Sequence, residues 1–381
     1  MAYMYRHFTP QNTAPAAAKS IGVYDSNGKK VTEIPLGRMT PKTEEPLYSF
    51  GLVSDCHTAS WTTNYNGNTK LSNALTYFKG IGCKFVIGCG DFTQAGFYYE
   101  DANDYNESQM LAYNAILNNH DIPVHEIFGN HENYYGVSIT NHLERAKELT
   151  GIPGTAYTVS SAADTDDIAG TTVRPNRQET AVGNDLFILV GQSEGSKPMS
   201  GDDLTWLANT LEANRDRRCF VFIHSFIDDD WHSTEERDAE DADGYILSDS
   251  GNPCGARGNS IVGWWEDNDR ASLNKFLDTM RNAQNAVLFH GHSHMMFQSQ
   301  EFDISANYTE KNGFKSVHDP SLGLPRKLIP NDNGVYDGTW IAAESDSQGY
   351  IVDVYDDCIV LTGMDFIKNE PIPLGTYKID T

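Results

Sequence analysis

The chain has 381 residues, and its 53 acidic against 28 basic side chains give a formal net charge of −25. An apolar content of 39% with 11% aromatics supports a packed core and excludes a disordered or fibrous chain. No apolar run reaches the roughly 18 residues of a membrane span, and the acidic balance excludes a protein that grips duplex nucleic acid through its phosphates, a mode that needs a basic face.

Residues 1–46 start Pro/Ala-rich and carry two strand-like runs, Ile21 to Tyr24 and Val31 to Ile34, around Asp25-Ser26-Asn27-Gly28. Asn-Gly between such runs signals a hairpin. Met1 to Ala18 lacks the charged start and continuous apolar stretch of a signal peptide. The expected location is therefore cytoplasmic, or one reached by another carrier.

From Tyr48 onward strand and helix alternate. Tyr48 to Ser54 reads as a strand, and Lys70 to Phe78 as a helix with Leu71, Leu75 and Phe78 on one face. A strand Phe85 to Cys89, a helix Glu107 to Leu117, a strand Ile122 to Phe128 and a helix from about Thr140 to Leu149 follow. Such βα units predict parallel strands with helices on the sheet faces. Leu186 to Val190 is a further strand, and Ser200 caps a helix bearing Leu204, Leu207 and Leu211. Arg215, Arg217 and Arg218 read as a solvated helix end. Cys219 to Ile223, Ala271 to Met280 and Ala286 to Phe289 continue the alternation.

Past about residue 297 the helical period fades. Trp340 to Ala343, Tyr350 to Tyr355 and Ile359 to Leu361 predict a strand-rich C-terminal part that completes a second sheet. Ala162 to Gly183 and the acidic Asp228 to Asp269, with Trp231, Trp264 and Trp265, lack periodicity and read as loops, the second lid-like. The expected organisation is an arm over 1–46, a core over 47–300 with the insertion at 228–269, and a β-rich part over 301–381. Six cysteines without a CxxC pair exclude a zinc ribbon or a dense disulfide framework, and Cys83, Cys89 and Cys219 read as small core residues.

The chemistry lies at strand ends. The first strand runs into Asp55-Cys56-His57, where an extended chain turns the carboxylate and the imidazole to one side. The second ends Gly88-Cys89-Gly90-Asp91, the third Gly129-Asn130-His131-Glu132, and later strands end at His224 and at His290-Gly291-His292-Ser293-His294. Parallel strands bring these ends to one crevice. Nitrogen and oxygen donors without thiolate suit Mn, Fe, Zn, Ni or Mg, and the set exceeds what one ion needs. His125, mid-strand, and His290 read as structural, and Tyr134 and Tyr135, which follow the Asn130-His131 turn, read as ordinary packing, with a wall for a substrate's organic group as the alternative.

The ordered series Asp55-x-His57, Gly90-Asp91, Gly129-Asn130-His131-Glu132, His224 and Gly291-His292-x-His294 resembles the calcineurin-like metallophosphoesterase superfamily over about residues 48–296. The resemblance implies an α/β fold, the four-layer α/β/β/α sandwich. It implies that Asp55, His57 and His294 hold one metal, that Asn130, His224 and His292 hold a second, that Asp91 bridges both, and that His131 acts beside the phosphoryl group. Phe92-Thr93-Gln94 and His224-Ser225-Phe226 depart from the family's usual sequences at substrate contacts.

The implied activity is phosphoester hydrolysis with two divalent ions, Mn favoured, through a metal-bridging hydroxide. A phosphodiester is favoured over a phosphomonoester, because no Arg or Lys stands within the motifs to offset a second phosphate charge. A different reading rests on the arm: similar to phage-borne proteins, it implies a structural or adhesive particle component carrying an accessory or vestigial phosphoesterase, virion-associated or homo-oligomeric through residues 1–46.

Overall fold

The structure is a computed structural model that describes residues 20–24, 30–35, 45–58, 66–94, 109–133, 155–159, 177–191, 199–225, 272–297, 307–328 and 340–381, apart from scattered positions inside these spans. The expected helix over 140–149, the cap at Ser200, Tyr134, Tyr135, the acidic segment 228–269 and most of the arm lie outside them.

In the arm, β1 (Ser20–Tyr24) pairs antiparallel with β2 (Lys30–Pro35). Next, β3 (Tyr48–Val53) leads to α1 (Gly67–Gly80), and β4 (Val86–Gly88) and β5 (Val124–Glu126) lie parallel beside β3. After β5 comes a single helical turn, α2 (Asn130–Asn133). An antiparallel run of β6 (Thr155–Val159), β7 (Arg177–Val182) and β8 (Asp185–Val190) precedes α3 (Gly201–Ala213). Then β9 (Cys219–Ile223) and β10 (Ala286–His290) continue parallel to β8.

The remaining elements are strands: β11 (Tyr308–Thr309), β12 (Lys315–His318), β13 (Arg326–Leu328), β14 (Trp340–Ala342), β15 (Gln348–Val354), β16 (Cys358–Asp365) and β17 (Glu370–Asp380). One sheet has the order β17-β16-β15-β3-β4-β5 and the other β11-β12-β10-β9-β8-β7-β6. No helix among the described residues is long and apolar enough to cross a membrane.

The two-residue period of the strands sorts their side chains into layers. Phe50 and Leu52 of β3, Phe187 and Leu189 of β8 and Phe220 and Phe222 of β9 meet between the sheets, with Phe50 on Phe85 at 5.3 Å and Phe222 on Phe289 at 5.0 Å. The alternate residues point outward. Val53, Val86 and Val124 receive Leu71, Ala74, Leu75 and Phe78 of α1. Leu186, Ile188 and Val190 receive Leu204, Leu207 and Leu211 of α3 with Phe276, Leu277 and Met280 of the helical residues 274–282. This is the four-layer α/β/β/α sandwich.

The structure corrects three expectations. The C-terminal strands do not make one sheet of their own: β15, β16 and β17 extend the first sheet, where β15 pairs antiparallel with β3, its residues 350–354 against Leu52 to Tyr48, while β11 and β12 extend the other sheet beside β10 and β13 pairs with β14 alone. The stretch 162–183 is not all loop, because residues 177–182 form β7, whose polar sequence takes its order from the β8 hairpin partner and not from apolar period. Arg218 is not a solvated helix end. Its side chain is 9% exposed and grips the Asp185 carboxylate with two nitrogens, at 2.8 and 2.7 Å. Tyr48 OH donates to the same carboxylate at 2.6 Å, and Arg218 also donates to Tyr355 O at 2.7 Å, so the pair joins the two sheets.

Candidate metal centre

The carboxyl ends of β3, β4, β5, β9 and β10 deliver Asp55, His57, Asp91, Asn130, His224, His292 and His294 to one crevice, all buried. They arrive by turning, not by extension. Asp55, His57, Asp91, His292 and His294 have φ of 52°, 47°, 51°, 71° and 61°, in the left-handed region that costs a non-glycine residue about 1 kcal/mol or more. Thus Asp55 and His57 meet through a coiled turn, and the extended-chain alternation expected for them is absent. Tight approach explains Gly129, where a Cβ would fall 2.1 Å from Asp91 Oδ1.

Two overlapping groups result, Asp55, His57, Asp91 and His294 in one, Asp55, Asp91, His224 and His292 in the other, with the donor atoms of each within 4.8 Å of one another. His57 Nε2 and His294 Nε2 are 3.0 Å apart, and His294 Nε2 is 3.0 Å from Asp55 Oδ1. His224 Nε2 stands 3.0 Å from Asn130 Oδ1, 3.0 Å from His292 Nδ1 and 3.2 Å from Asp91 Oδ2. The other oxygen of each carboxylate is held from behind: Asp55 Oδ2 accepts from Ser54 Oγ at 2.5 Å and His292 N at 2.9 Å, and Asp91 Oδ1 accepts from His131 N at 2.9 Å.

Backbone carbonyls fix two of the imidazoles. A carbonyl can only accept, so His224 Nδ1 donates to Cys89 O at 2.7 Å and His294 Nδ1 donates to Leu324 O at 3.1 Å. Each Nε2 then faces the crevice, the orientation a metal-ligating histidine needs. Burial lowers the His224 pKa, but Asp91 and Asp55 outweigh it and carry it up to about 9. Burial, with His224, pushes His292 down to about 3; burial, with His131 and His294, lowers His57 well below its ordinary value; burial, with Arg326, lowers His294. Burial raises both carboxyls, yet His294 and His224 at Asp55, and His224 and His131 at Asp91, hold them ionised far below the usual range. A divalent cation answers the same carboxylates and neutral imidazoles at once, and the N/O donor set fits it.

His131 lies at the rim. Its ring is 15% exposed, edge-on to His57 at 4.7 Å, with Nδ1 2.5 Å from Gln94 O and Nε2 3.8 Å from Asp91 Oδ2. His290 and His125 stand apart from the cluster: His290 Nε2 meets Ser316 Oγ at 3.0 Å, and His125 is buried in β5 beside Phe85.

The sequence profile of the calcineurin-like phosphoesterases matches residues 48–296, well over half of the chain. The chain belongs to the calcineurin-like phosphoesterase family. Among solved structures, a dimetal phosphatase from Danio rerio is 14% identical, with 88% of this chain and 99% of that one covered at a TM-score of 0.49. A phosphoesterase from E. coli is 10% identical, with 87% and 98% covered at a TM-score of 0.33. No curated protein matches the chain. Family membership rests on the profile match and not on these structural likenesses.

The family and the His/Asp cluster fit a binuclear divalent metal site. Around this calcineurin-like site stand residues that motif reading does not find: Cys89, Gln94 and Leu324, which act through carbonyls and so leave no side-chain signature, and Ser54, whose hydroxyl seats Asp55. The unusual Phe92-Thr93-Gln94 is structural in part. Phe92 is buried against Tyr113 at 4.8 Å, and its carbonyl accepts from Thr58 Oγ1 at 2.7 Å.

Proposed function

We propose that this calcineurin-like protein is a binuclear metal-dependent hydrolase of phosphodiesters. The observation that carries the reading is the pair of overlapping donor groups sharing Asp55 and Asp91, with Asn130 Oδ1 joining the second through His224. Asp55, His57 and His294 would hold one ion, Asn130, His224 and His292 the other, and Asp91 would serve both. When bound, two divalent cations polarise phosphoryl oxygens and acidify water. Mn is favoured among ions suited to these donors.

The remaining work falls to the chain. Two cations against two carboxylates leave the crevice positive, so it attracts a phosphate oxyanion in spite of the overall charge of −25. More distant charges are screened beyond about 8 Å at physiological salt. His131, the most exposed ring of the set, has Nδ1–H fixed on the Gln94 carbonyl and donates from Nε2 to the leaving oxygen, as a general acid.

The diester preference is supported by the motifs themselves, which contain no Lys or Arg. One observation favours a phosphomonoester instead. Arg326 N donates to His294 O at 2.7 Å, and the Arg326 charge contributes to lowering the His294 pKa, so a cation stands near the site.

Hydrolysis of bis-p-nitrophenyl phosphate beside p-nitrophenyl phosphate by Mn-loaded protein, with Asp91→Ala as the blank, tests the proposal. Diester turnover that falls to background in Asp91→Ala supports it. Faster monoester turnover that drops in Arg326→Gln replaces the diester with the monoester, and full activity in Asp91→Ala sinks the two-metal reading.

A further inference from the structure

The span matched by the family ends at residue 296, yet the chain returns to the site afterwards. Residues 321–326 cross the turn that carries Asp55 and then the turn that carries His294. Ser321 Oγ and Gly323 N both donate to Asp55 O, at 2.9 and 3.0 Å, and Leu322 N donates to Ser54 O at 2.8 Å. Leu324 O accepts from His294 Nδ1 at 3.1 Å, and Arg326 N donates to His294 O at 2.7 Å. The fit excludes a side chain at residue 323, where a Cβ would fall 2.0 Å from Cys56 O.

One cation is buried against this strap. Lys70 of α1 is 1% exposed, and its Nζ donates to Gly323 O at 2.8 Å. The peptide that accepts this bond passes it on: Leu324 N donates to Ser321 Oγ at 2.8 Å, and Ser321 Oγ donates to Asp55 O. A charge-assisted bond therefore heads a chain of hydrogen bonds that ends on the backbone of a metal ligand, and each bond polarises the next. Asp55 and His294 both hold left-handed backbone, which persists only where the surroundings enforce it. The strap bonds to both of them.

We propose that Lys70 and the strap 321–326 are positioning residues chiefly for one ion, the ion assigned above to Asp55, His57 and His294. The inference rests on the binuclear reading of the site and deepens it. None of the contacts above falls on Asn130, His224 or Asp91, so the ion assigned to Asn130, His224 and His292 feels the strap only indirectly, through Asp55, whose Oδ2 accepts from His292 N at 2.9 Å.

The test is Mn titration of the full chain by calorimetry, with the electron paramagnetic resonance of the bound ions recorded alongside, for wild type, Lys70→Met, Ser321→Ala and the control His125→Phe. The expected result is two binding steps in wild type and in the control. In both strap variants one step weakens about 10–100-fold, the usual effect of losing a partner behind a metal ligand. The other step weakens far less, and the coupled-pair signal is lost at Mn levels that still fill one site. Two unaltered steps in folded Lys70→Met and Ser321→Ala overturn the inference while leaving the site reading intact. Equal weakening of both steps also overturns it, since that is general loosening. Should Lys70→Met not fold, Ser321→Ala decides by the same titration. A wild-type chain that binds no Mn overturns the site reading and this inference with it.

Discussion

His131 and Asp91 are joined by a 2.9 Å backbone-to-carboxylate bond, yet their side chains have separable parts. The ring of His131 belongs to neither donor group, whereas Asp91 belongs to both. His131→Ala is therefore expected to bind two Mn per chain and to lose about 10²–10⁴-fold in turnover, the usual size of a general-acid contribution. Metal analysis beside the diester assay checks this, and loss of an ion in His131→Ala would assign the ring to the metals instead. Gly129→Ala presses a methyl onto Asp91 Oδ1. Its expected outcome is weaker Mn binding with far-ultraviolet circular dichroism unchanged. At this scale the side chains were readable, because Asp55, Asp91, Asn130, His224 and His292 each follow an apolar run. Their backbone was not: nothing in Asp55-Cys56-His57 announces left-handed φ at both ends, and a carbonyl partner such as Leu324 O looks the same in every residue type.

Among the elements, β5 carries a titration distinct from the metal site. Burial pushes the His125 imidazole down to about 4. The unfolded chain, with a value near 6.5, takes up the proton first, so stability attributable to this residue is full above about pH 6.5 and is lost as the pH falls towards 4, by about 3 kcal/mol in all. His125→Phe, which keeps the packing on Phe85, should lose less stability than wild type across that window in urea titrations while matching its turnover near neutrality. Parallel loss in the two proteins would refute the assignment. Strands β8, β9 and β10 were legible because they are buried throughout and so read as unbroken apolar runs. By contrast, β7 and β17 were missed. Arg177 to Val182 is mostly polar, and Glu370 to Asp380 contains two prolines and a glycine that argue against a strand until β16 supplies its pairing.

At the scale of the molecule, the two sheets are joined at opposite ends. The metal cluster gathers the carboxyl ends of β3, β4, β5, β9 and β10, while the Arg218–Asp185 pair, with Tyr48 and Tyr355, links the sheets at the starts of β3, β8 and β9. Arg218→Met strands a buried carboxylate and is expected to cost about 3–5 kcal/mol in urea unfolding. Adding Asp185→Leu should recover much of that loss, and a double variant no more stable than the single one would contradict this account. Helices on the sheet faces were legible from the alternation of strand and helix, whereas the four layers came from the family resemblance. The route of the C-terminal strands back to β3 was not, since antiparallel pairing of Tyr350 with Leu52 joins residues far apart in the chain. That route sets an order of events during synthesis. All seven side chains of the candidate site have been synthesised once His294 is made, but the strap at 321–326 and the strand that closes the open edge of β3 follow it out of the ribosome. The nascent chain thus passes through an interval in which every side chain of the candidate site is present but the strap and strand that frame it are not.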